Sequence, residues 1–297
     1  MFKRHSRNAR NLLFASIIAI TAVGSTYAQV STFEQFTPQD TTSEAAISYD
    51  QIDSYLKALG VVEDGRYLPA YDVIRSNGME LLDTFISNLS RIEVTNLNEN
   101  EQLAYWLNIR NLMVIKAFAD QKSLSNYKSK RGTPENPGRV WLEKRATISG
   151  VELSIHDIEK NIILSNWNDP NVIYGLYQGL SDGPAMHAKS FSGKTVQTEL
   201  EEAGRQFAKQ KNSLKIKKNI ARISQYYNWY KDDVFEGSDS ALRAHLSNML
   251  TDKRVASFNS TDQFKVKKLS SNIDNYRPRQ NINVPRSGHS GYGAGGS

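Results

Sequence analysis

Apolar residues recur along most of this chain with the spacing of helices. The strongest pattern is NENEQLAYWLNIRNLMVIKAFAD, residues 98–120. Here Asn98 is placed to cap a helix, and Glu101 follows three residues later, as in a capping box. Because the body of the segment is apolar on most faces, it predicts a central, buried helix.

Shorter segments on both sides complete the pattern. Residues 128–139 carry two prolines and two glycines and indicate a surface loop. Together the segments predict an α+β fold, a helix-rich single domain with a small β-sheet. Helices are predicted over residues 47–60, 78–92, 154–166, 195–211, 223–235 and 238–250, strands over 172–177, 213–218 and 262–269, and a hairpin over 146–153.

The two ends of the chain have a different composition. The first ten residues carry four Lys or Arg, an apolar run follows from Leu12 to Val23, and small residues lead to Ala28. This layout is typical of a secretory signal peptide cleaved after Ala28 and predicts a periplasmic or secreted protein. The alternative is a membrane anchor, which needs about 20 apolar residues. We therefore expect a signal peptide over 1–28, a linker over 29–46, a domain over 47–270 and a disordered tail over 271–297.

Removal of the signal peptide changes the charge balance of the chain. Of the 37 basic residues, four lie in the first 28 positions, so the mature chain has 33 basic and 31 acidic residues and a net charge of +2. A nucleic-acid partner is therefore not indicated. The absence of cysteine excludes disulfides, thiolate metal sites and a cysteine nucleophile. The histidines lack metal-ligand spacing, and we expect no metal and no cofactor.

The segment Gly179–Gly183 reads G-x-S-x-G, the pattern of the serine hydrolase elbow. In its favour, an apolar run that predicts a strand comes before it, and Pro184 is placed to begin a helix after it. Against it, the first 165 residues are predicted to be mainly helical, whereas the α/β-hydrolase fold that carries this elbow needs several strand–helix units before it. Catalysis would use Ser181 or His187 in this loop, or a triad of Ser181 with Asp232 or Asp233 and His245. The alternative is an ordinary glycine-rich turn.

Two further stretches have both a structural and a binding interpretation. Asn108 and Asn111 share one side of the predicted central helix, next to Trp106. They either tie down the backbone of a neighbouring loop, with Trp106 in the core, or bind a ligand. The basic run KQKNSLKIKKNIAR, residues 209–222, is either a solvated face or a docking patch for an anionic envelope polymer.

Four segments in the same order resemble the family catalogued as domain of unknown function 547, over roughly residues 47–236. They contain the W-x-N-x-x-N pattern from Trp106 to Asn111, the pair Ile158 and Glu159, and Trp229-Tyr230 with Asp233. The segments are EQLAYWLNIRNLMVIKA, GVELSIHDIEKNII, DPNVIYGLYQGLSDGPAM and YYNWYKDDVF.

The resemblance implies papain-like or other thiol hydrolase chemistry for relatives, which carry histidines and a pair of cysteines at positions that here are Lys160, Ile173, Gln178 and Gly183. Since this chain lacks those groups, we expect a non-catalytic binding or envelope-associated protein. Its partner would be a small molecule or an envelope component, with no membrane span after signal cleavage. A hydrolase that uses the 178–187 loop is the alternative. The expected binding residues are Trp106, Asn108, Asn111, Glu159 and Gln178.

Overall fold

A computed structural model describes residues 32–38, 42–125, 127–269 and 272–277, apart from the side chains of Lys128 and Asp252. The predicted signal peptide, residues 29–31 and 39–41 of the predicted linker, and the predicted tail from 278 onward lie outside the described residues. Within the described part, the fold is α+β and rich in helix, as the sequence predicts. No helix among the described residues has the length and apolar character needed to cross a bilayer.

The helix Glu99–Ala119 (α4) is the centre of the molecule, and nearly all of its side chains are buried. The Oδ1 of Asn98 accepts a hydrogen bond from the Glu101 backbone N–H at 3.0 Å, which confirms the predicted cap. Glu101 does not return a bond to Asn98 as in a capping box. Its carboxylate instead accepts from the backbone N–H groups of Ile47 at 3.0 Å and Gly193 at 2.7 Å, and so joins two distant loops to the start of α4.

Among the described residues the strands form three small sheets, where the sequence pattern predicted one. The predicted hairpin is confirmed as Lys144–Ile148 (β3) paired with Val151–Ser154 (β4). A second hairpin, which was not predicted, pairs Gly60–Glu63 with Arg66–Pro69 (β1 and β2). The third sheet contains, in spatial order, Leu214–Lys217 (β5), Ile220–Ser224 (β6) and Gln263–Lys267 (β7). Strands β5 and β6 are antiparallel, and β6 and β7 are parallel.

The predicted strand over residues 172–177 is wrong, because Pro170–Gly175 forms a 3₁₀-helix. Asp169 caps it by accepting from the Asn171 N–H at 2.8 Å, and Pro170 at the first position has a φ suited to a helix. A short apolar run is buried in either conformation, so its composition could not decide between them. No helix begins at Pro184 either, and residues 183–195 are irregular.

The predicted surface loop over residues 128–139 is more ordered than its prolines and glycines indicate. It contains the end of a short helix, Tyr127–Arg131, and the start of another, Arg139–Leu142. Arg131 is buried, and Trp141 is buried beside it. This loop therefore contributes to the core.

Residues on both sides of the predicted domain, 47–270, contact residues inside it. Phe36 lies in the predicted linker but is fully buried, with its ring 5.1 Å from that of Trp106. At the other end, residues 272–277 lie in the predicted tail but pair with residues 178–191, which we call the glycine loop. Asn272 accepts from the Ser181 N–H at 3.0 Å, and Asp274 forms an ion pair with Arg66 at 2.7 Å.

The bounds of all regular elements are as follows. The strands are Gly60–Glu63 (β1), Arg66–Pro69 (β2), Lys144–Ile148 (β3), Val151–Ser154 (β4), Leu214–Lys217 (β5), Ile220–Ser224 (β6) and Gln263–Lys267 (β7). The α-helices are Asp50–Ala58 (α1), Tyr71–Val73 (α2), Met79–Leu89 (α3), Glu99–Ala119 (α4), Tyr127–Arg131 (α5), Arg139–Leu142 (α6), Leu164–Asn166 (α7), Val196–Lys209 (α8), Gln225–Trp229 (α9), Lys231–Val234 (α10), Asp239–Met249 (α11) and Asp252–Asn259 (α12). The remaining turns are the π-helices Ile74–Gly78 and Asp157–Ile163 and the 3₁₀-helices Glu34–Phe36, Val94–Asn96 and Pro170–Gly175.

Gly179 is required for its backbone conformation and for its close contact with a neighbouring side chain. Gly65 shares the conformation but lacks the contact, so it serves as a control. Its φ is +70°, and a Cβ at this position would overlap the ring of Phe118. Gly65 has a φ of +75° with open space around it. We predict that Gly65→Ala costs about 1–2 kcal/mol through backbone strain alone, whereas Gly179→Ala adds overpacking of about 1–3 kcal/mol. Urea unfolding of both variants tests this, and equal losses would contradict a close contact with Phe118.

Candidate functional site

A buried polar cluster lies where the central helix meets the glycine loop. It consists of Arg110 from α4, Arg131 from α5, Glu159 from the π-helix Asp157–Ile163, Gln178 from the loop, and Tyr230 from the junction of α9 and α10. All five side chains are buried. In the π-helix, the Leu164 N–H donates to the Glu159 carbonyl five residues earlier. This wider turn is the local backbone that carries Glu159 into the core.

Glu159 is the acceptor that joins the cluster. Its Oε2 accepts from a guanidinium N–H of Arg110 and from Gln178 Nε2 at 3.2 Å, and its Oε1 accepts from the Tyr230 hydroxyl at 2.7 Å. Gln178 uses both ends of its amide, because its Nε2 also donates to the Tyr230 hydroxyl at 2.7 Å and its Oε1 accepts from Arg131 at 2.9 Å. The cluster is therefore held by charge-assisted hydrogen bonds at low dielectric.

The charges in the cluster do not balance, since two guanidinium groups share one carboxylate. Burial alone would raise the pKa of Glu159, but the charge of Arg110 and the hydrogen bonds from Tyr230, Arg110 and Gln178 outweigh it and lower this pKa. Burial lowers the pKa of Arg131. The Arg131 guanidinium lies 4.9 Å from the ring centre of Trp229 and 5.6 Å from that of Trp141. These aromatic faces stabilise a cation that only Gln178 hydrogen-bonds among the described residues.

The three-residue spacing of Asn108 and Asn111 along α4 has a direct structural use in this molecule. Asn108 both donates to the Phe191 carbonyl and accepts from the Phe191 N–H, each at 2.8 Å. Asn111 donates to the Gly175 carbonyl at 2.9 Å and accepts from the Tyr177 N–H at 3.3 Å. Both amides therefore hold the backbone on either side of the glycine loop.

Trp106, the other residue of that motif, is fully buried. Its ring packs edge-on against Phe36 and Tyr105. The structure thus places Trp106 in the core and the two asparagines under the loop, while Glu159 and Gln178 meet in the buried polar cluster.

The side chains proposed for serine chemistry do not hydrogen-bond one another in the described part of the chain. The Oγ of Ser181 makes no hydrogen bond to a described residue. The Nδ1–H of His187 donates to the Lys189 carbonyl at 2.8 Å, and its ring stacks on Phe191. His245 Nε2 lies 2.8 Å from the Tyr174 hydroxyl, and burial lowers the pKa of His245 to about 4.

Of the two candidate acids of that triad, only Asp233 has a charged partner among the described residues. Asp233 forms an ion pair with Lys160. Asp232 lies in α10, close to Gly237, which follows the end of that helix. Among the described residues, no group of three His, Asp or Glu side chains is placed to hold a metal ion.

A groove of about 850 Å³ opens next to the loop, which is within the usual size of small-molecule sites. It runs between the β1–β2 turn, residues 185–191 of the loop, and one face of α8. Its floor is aromatic, with contributions from Tyr67, Tyr174 and Phe207. Since Asn108 clamps Phe191 in the wall, the central helix positions one side of this groove.

The charged groups of the groove lie mainly along α8 and the loop. Glu199 and Glu202 belong to α8, and Lys209 lies at its end, while Lys189 comes from the loop. One carboxylate oxygen of Glu199, Oε2, is buried and receives no hydrogen bond from a described residue. A buried acceptor without a donor is costly, so this oxygen favours a ligand that can donate to it.

The order and spacing of these residues also match a known family over part of the chain. Residues 94–208 match the model of the family described as Protein of unknown function, DUF547. The resemblance predicted from the sequence is thereby confirmed over this DUF547 segment, which is shorter than the predicted range of 47–236. No curated protein and no solved structure matches the chain.

The DUF547 segment includes most of the buried polar cluster and the α8 side of the groove. Arg110, Arg131, Glu159 and Gln178 lie within it, whereas Tyr230 lies outside. Sequence reasoning identified Glu159 and Gln178 but missed both arginines. The signal available for Arg110 was a charge within an otherwise apolar helix, which has to be paired when it is buried.

Neutralisation of Glu159 tests how far the fold depends on the cluster. Glu159→Gln leaves two guanidinium groups buried without a counter-charge, so we predict a loss of about 3–5 kcal/mol in the free energy of unfolding. The matched control is Glu201→Gln, which removes a half-exposed pair with Arg205 and is expected to cost at most about 1 kcal/mol. Urea unfolding at neutral pH measures both.

The same variant has an expected pH signature. Because the folded-state pKa of Glu159 is lowered, its contribution is complete above the ordinary glutamate pKa of about 4.3 and is lost as the pH falls through the lowered value. The free energy of unfolding of the native chain should therefore fall more steeply on acidification than that of Glu159→Gln. Parallel pH profiles would contradict an ionised Glu159 in the core.

Proposed function

We propose that this chain is an exported binding protein without catalytic activity, and that its ligand occupies the groove between the β1–β2 turn, the loop 185–191 and α8. The observation that carries the proposal is the hydrogen bonding of the Gln178 side-chain amide. Under the DUF547 resemblance, this residue stands where relatives have a thiol, and here both ends of its amide are bound in the buried polar cluster. The Gln178 amide is not a nucleophile, and it is hydrogen-bonded to Glu159 and Arg131. This supports a binding function over a catalytic one.

The groove supports a ligand with an apolar body and a positively charged donor. Ala185, Ala188 and Ala203 offer partly exposed apolar surface to the body, and the buried oxygen of Glu199 offers an acceptor for an ammonium group. Glu202 lies about one helical turn further along α8 and adds negative charge at the rim. We therefore expect a small amphiphilic amine as the ligand class.

Tryptamine is a suitable probe, since it joins an indole ring to an ammonium group. We predict that calorimetry detects binding to the mature chain and that Glu199→Gln weakens it roughly tenfold or more, because a hydrogen bond to a charged group is lost. Ala203→Trp, which fills the groove, should abolish binding. The matched control is Gln197→Trp on the exposed side of α8, which should bind as the native chain does.

Two results would contradict this assignment. Indole-3-propionate has the same ring with a carboxylate, and equal binding of it would remove the role given to Glu199. Covalent labelling by a fluorophosphonate probe that disappears in Ser181→Ala would replace the binding function with a serine hydrolase. We expect no such labelling, since Ser181 has neither a histidine nor a carboxylate hydrogen-bonded to its Oγ among the described residues.

Export rests on the composition of the first 28 residues. We predict that the chain, expressed in a Gram-negative host with its own N-terminus, is recovered from the periplasm or medium with Gln29 as its first residue. Intact mass and N-terminal sequencing measure this. As a control, Ala28→Pro should leave the precursor uncleaved, and recovery of an uncleaved native chain from the cytosol would overturn the export proposal.

A further inference from the structure

The three-stranded sheet has one strongly cationic face. Strand register places Lys215 opposite Arg222 and Arg222 opposite Lys265, so three cations form a row across β5, β6 and β7. Because side chains alternate along a strand, Lys217 and Lys267 lie on the same face. These five residues, which we call the cationic face, are all exposed.

The cationic face has little compensation from acidic groups. None of its strand positions is Asp or Glu, and no ion pair involves Lys215, Arg222 or Lys265 among the described residues. Lys267 donates to the side-chain oxygen of Asn212. The nearest acid in the sequence, Asp262, precedes β7 and accepts from Asn219 at 3.0 Å.

This arrangement is unfavourable for the fold itself. Like charges directly opposite each other on neighbouring strands destabilise a sheet, since their Cβ atoms lie about 4.5–5.5 Å apart. The row from Lys215 through Arg222 to Lys265 contains two such pairs. A feature that lowers stability without packing benefit points to a function on the surface.

The opposite face shows that the sheet presents its cations in one direction. Leu214, Ala221 and Ile223 are buried beneath it, so the alternation along β5 and β6 fixes which side faces outward. The outward positions contain no aromatic residue on which a base could stack, which argues against nucleic acid. The face is also broad, with neighbouring strands about 4.8 Å apart and successive outward residues about 7 Å apart.

We propose that the cationic face docks the protein onto the surface of an anionic phospholipid bilayer. A two-dimensional array of unpaired cations complements a planar layer of headgroup phosphates, whereas a linear polymer would be followed by a groove or a single stripe. The contact is electrostatic and peripheral, because the outward positions carry no large apolar side chain other than the half-buried Ile220. It is independent of the amine-binding groove, whose lining includes none of these five cations.

Vesicle co-sedimentation tests the proposal with the mature chain. Vesicles of equal parts phosphatidylglycerol and phosphatidylcholine should retain the protein at low salt, and vesicles of phosphatidylcholine alone should not. A triple variant, Lys215→Gln with Arg222→Gln and Lys265→Gln, should bind roughly a hundredfold more weakly, since each cation near the surface contributes about fivefold. Retention should also fall as salt rises.

A second triple variant controls for net charge alone. Lys57→Gln with Lys122→Gln and Lys194→Gln removes the same charge from exposed positions outside the sheet and should keep most of the binding. Thermal unfolding separates docking from misfolding, because relief of the cross-strand repulsion should raise the Tm of the sheet variant while its binding falls.

Three results would overturn the proposal. These are equal losses in the two triple variants, retention on phosphatidylcholine alone, and tighter binding to soluble polyphosphate than to the anionic vesicles. The last result would assign the face to an anionic polymer.

Discussion

The carboxylate of Glu159 is the one negative charge that Arg110 and Arg131 share within the buried polar cluster, and the centre of the molecule depends on it. Arg110 bonds it directly, and Arg131 reaches it through Gln178. A buried guanidinium without such a partner would be costly, so this carboxylate stabilises the packing of α4, α5 and the π-helix. The aromatic faces of Trp141 and Trp229 supply the remaining stabilisation of Arg131.

The glycine loop connects this buried cluster to the groove. Gln178 belongs to the cluster, Gly179 lies against Phe118, and Ser181 pairs with Asn272 from the C-terminal segment. Further along, Phe191 is clamped by Asn108 and forms part of the groove wall. The loop is therefore held at one end by the buried cluster and at the other by Asn108, beside the groove.

Most of the buried polar cluster lies within the DUF547 segment, whereas the cationic face lies after it. The cluster arginines, Glu159, Gln178 and the α8 side of the groove fall within residues 94–208. The three-stranded sheet begins at Leu214, so its cationic face lies beyond the matched range. The groove and the cationic face are thus separate surfaces of the described molecule, since none of the five cations lines the groove.

The sequence by itself determined the central helix and its Asn98 cap, the family resemblance, the β3–β4 hairpin and the alternation that makes the cationic strands, because each depends on neighbours along the chain. It also identified Glu159 and Gln178 as positions of interest. Only the tertiary structure decided that Pro170–Gly175 is a 3₁₀-helix, that Arg131 is buried, and that the cations of β5, β6 and β7 form a row. Burial, pairing and register are contacts between distant residues, and no local pattern specifies which distant residue will be the partner.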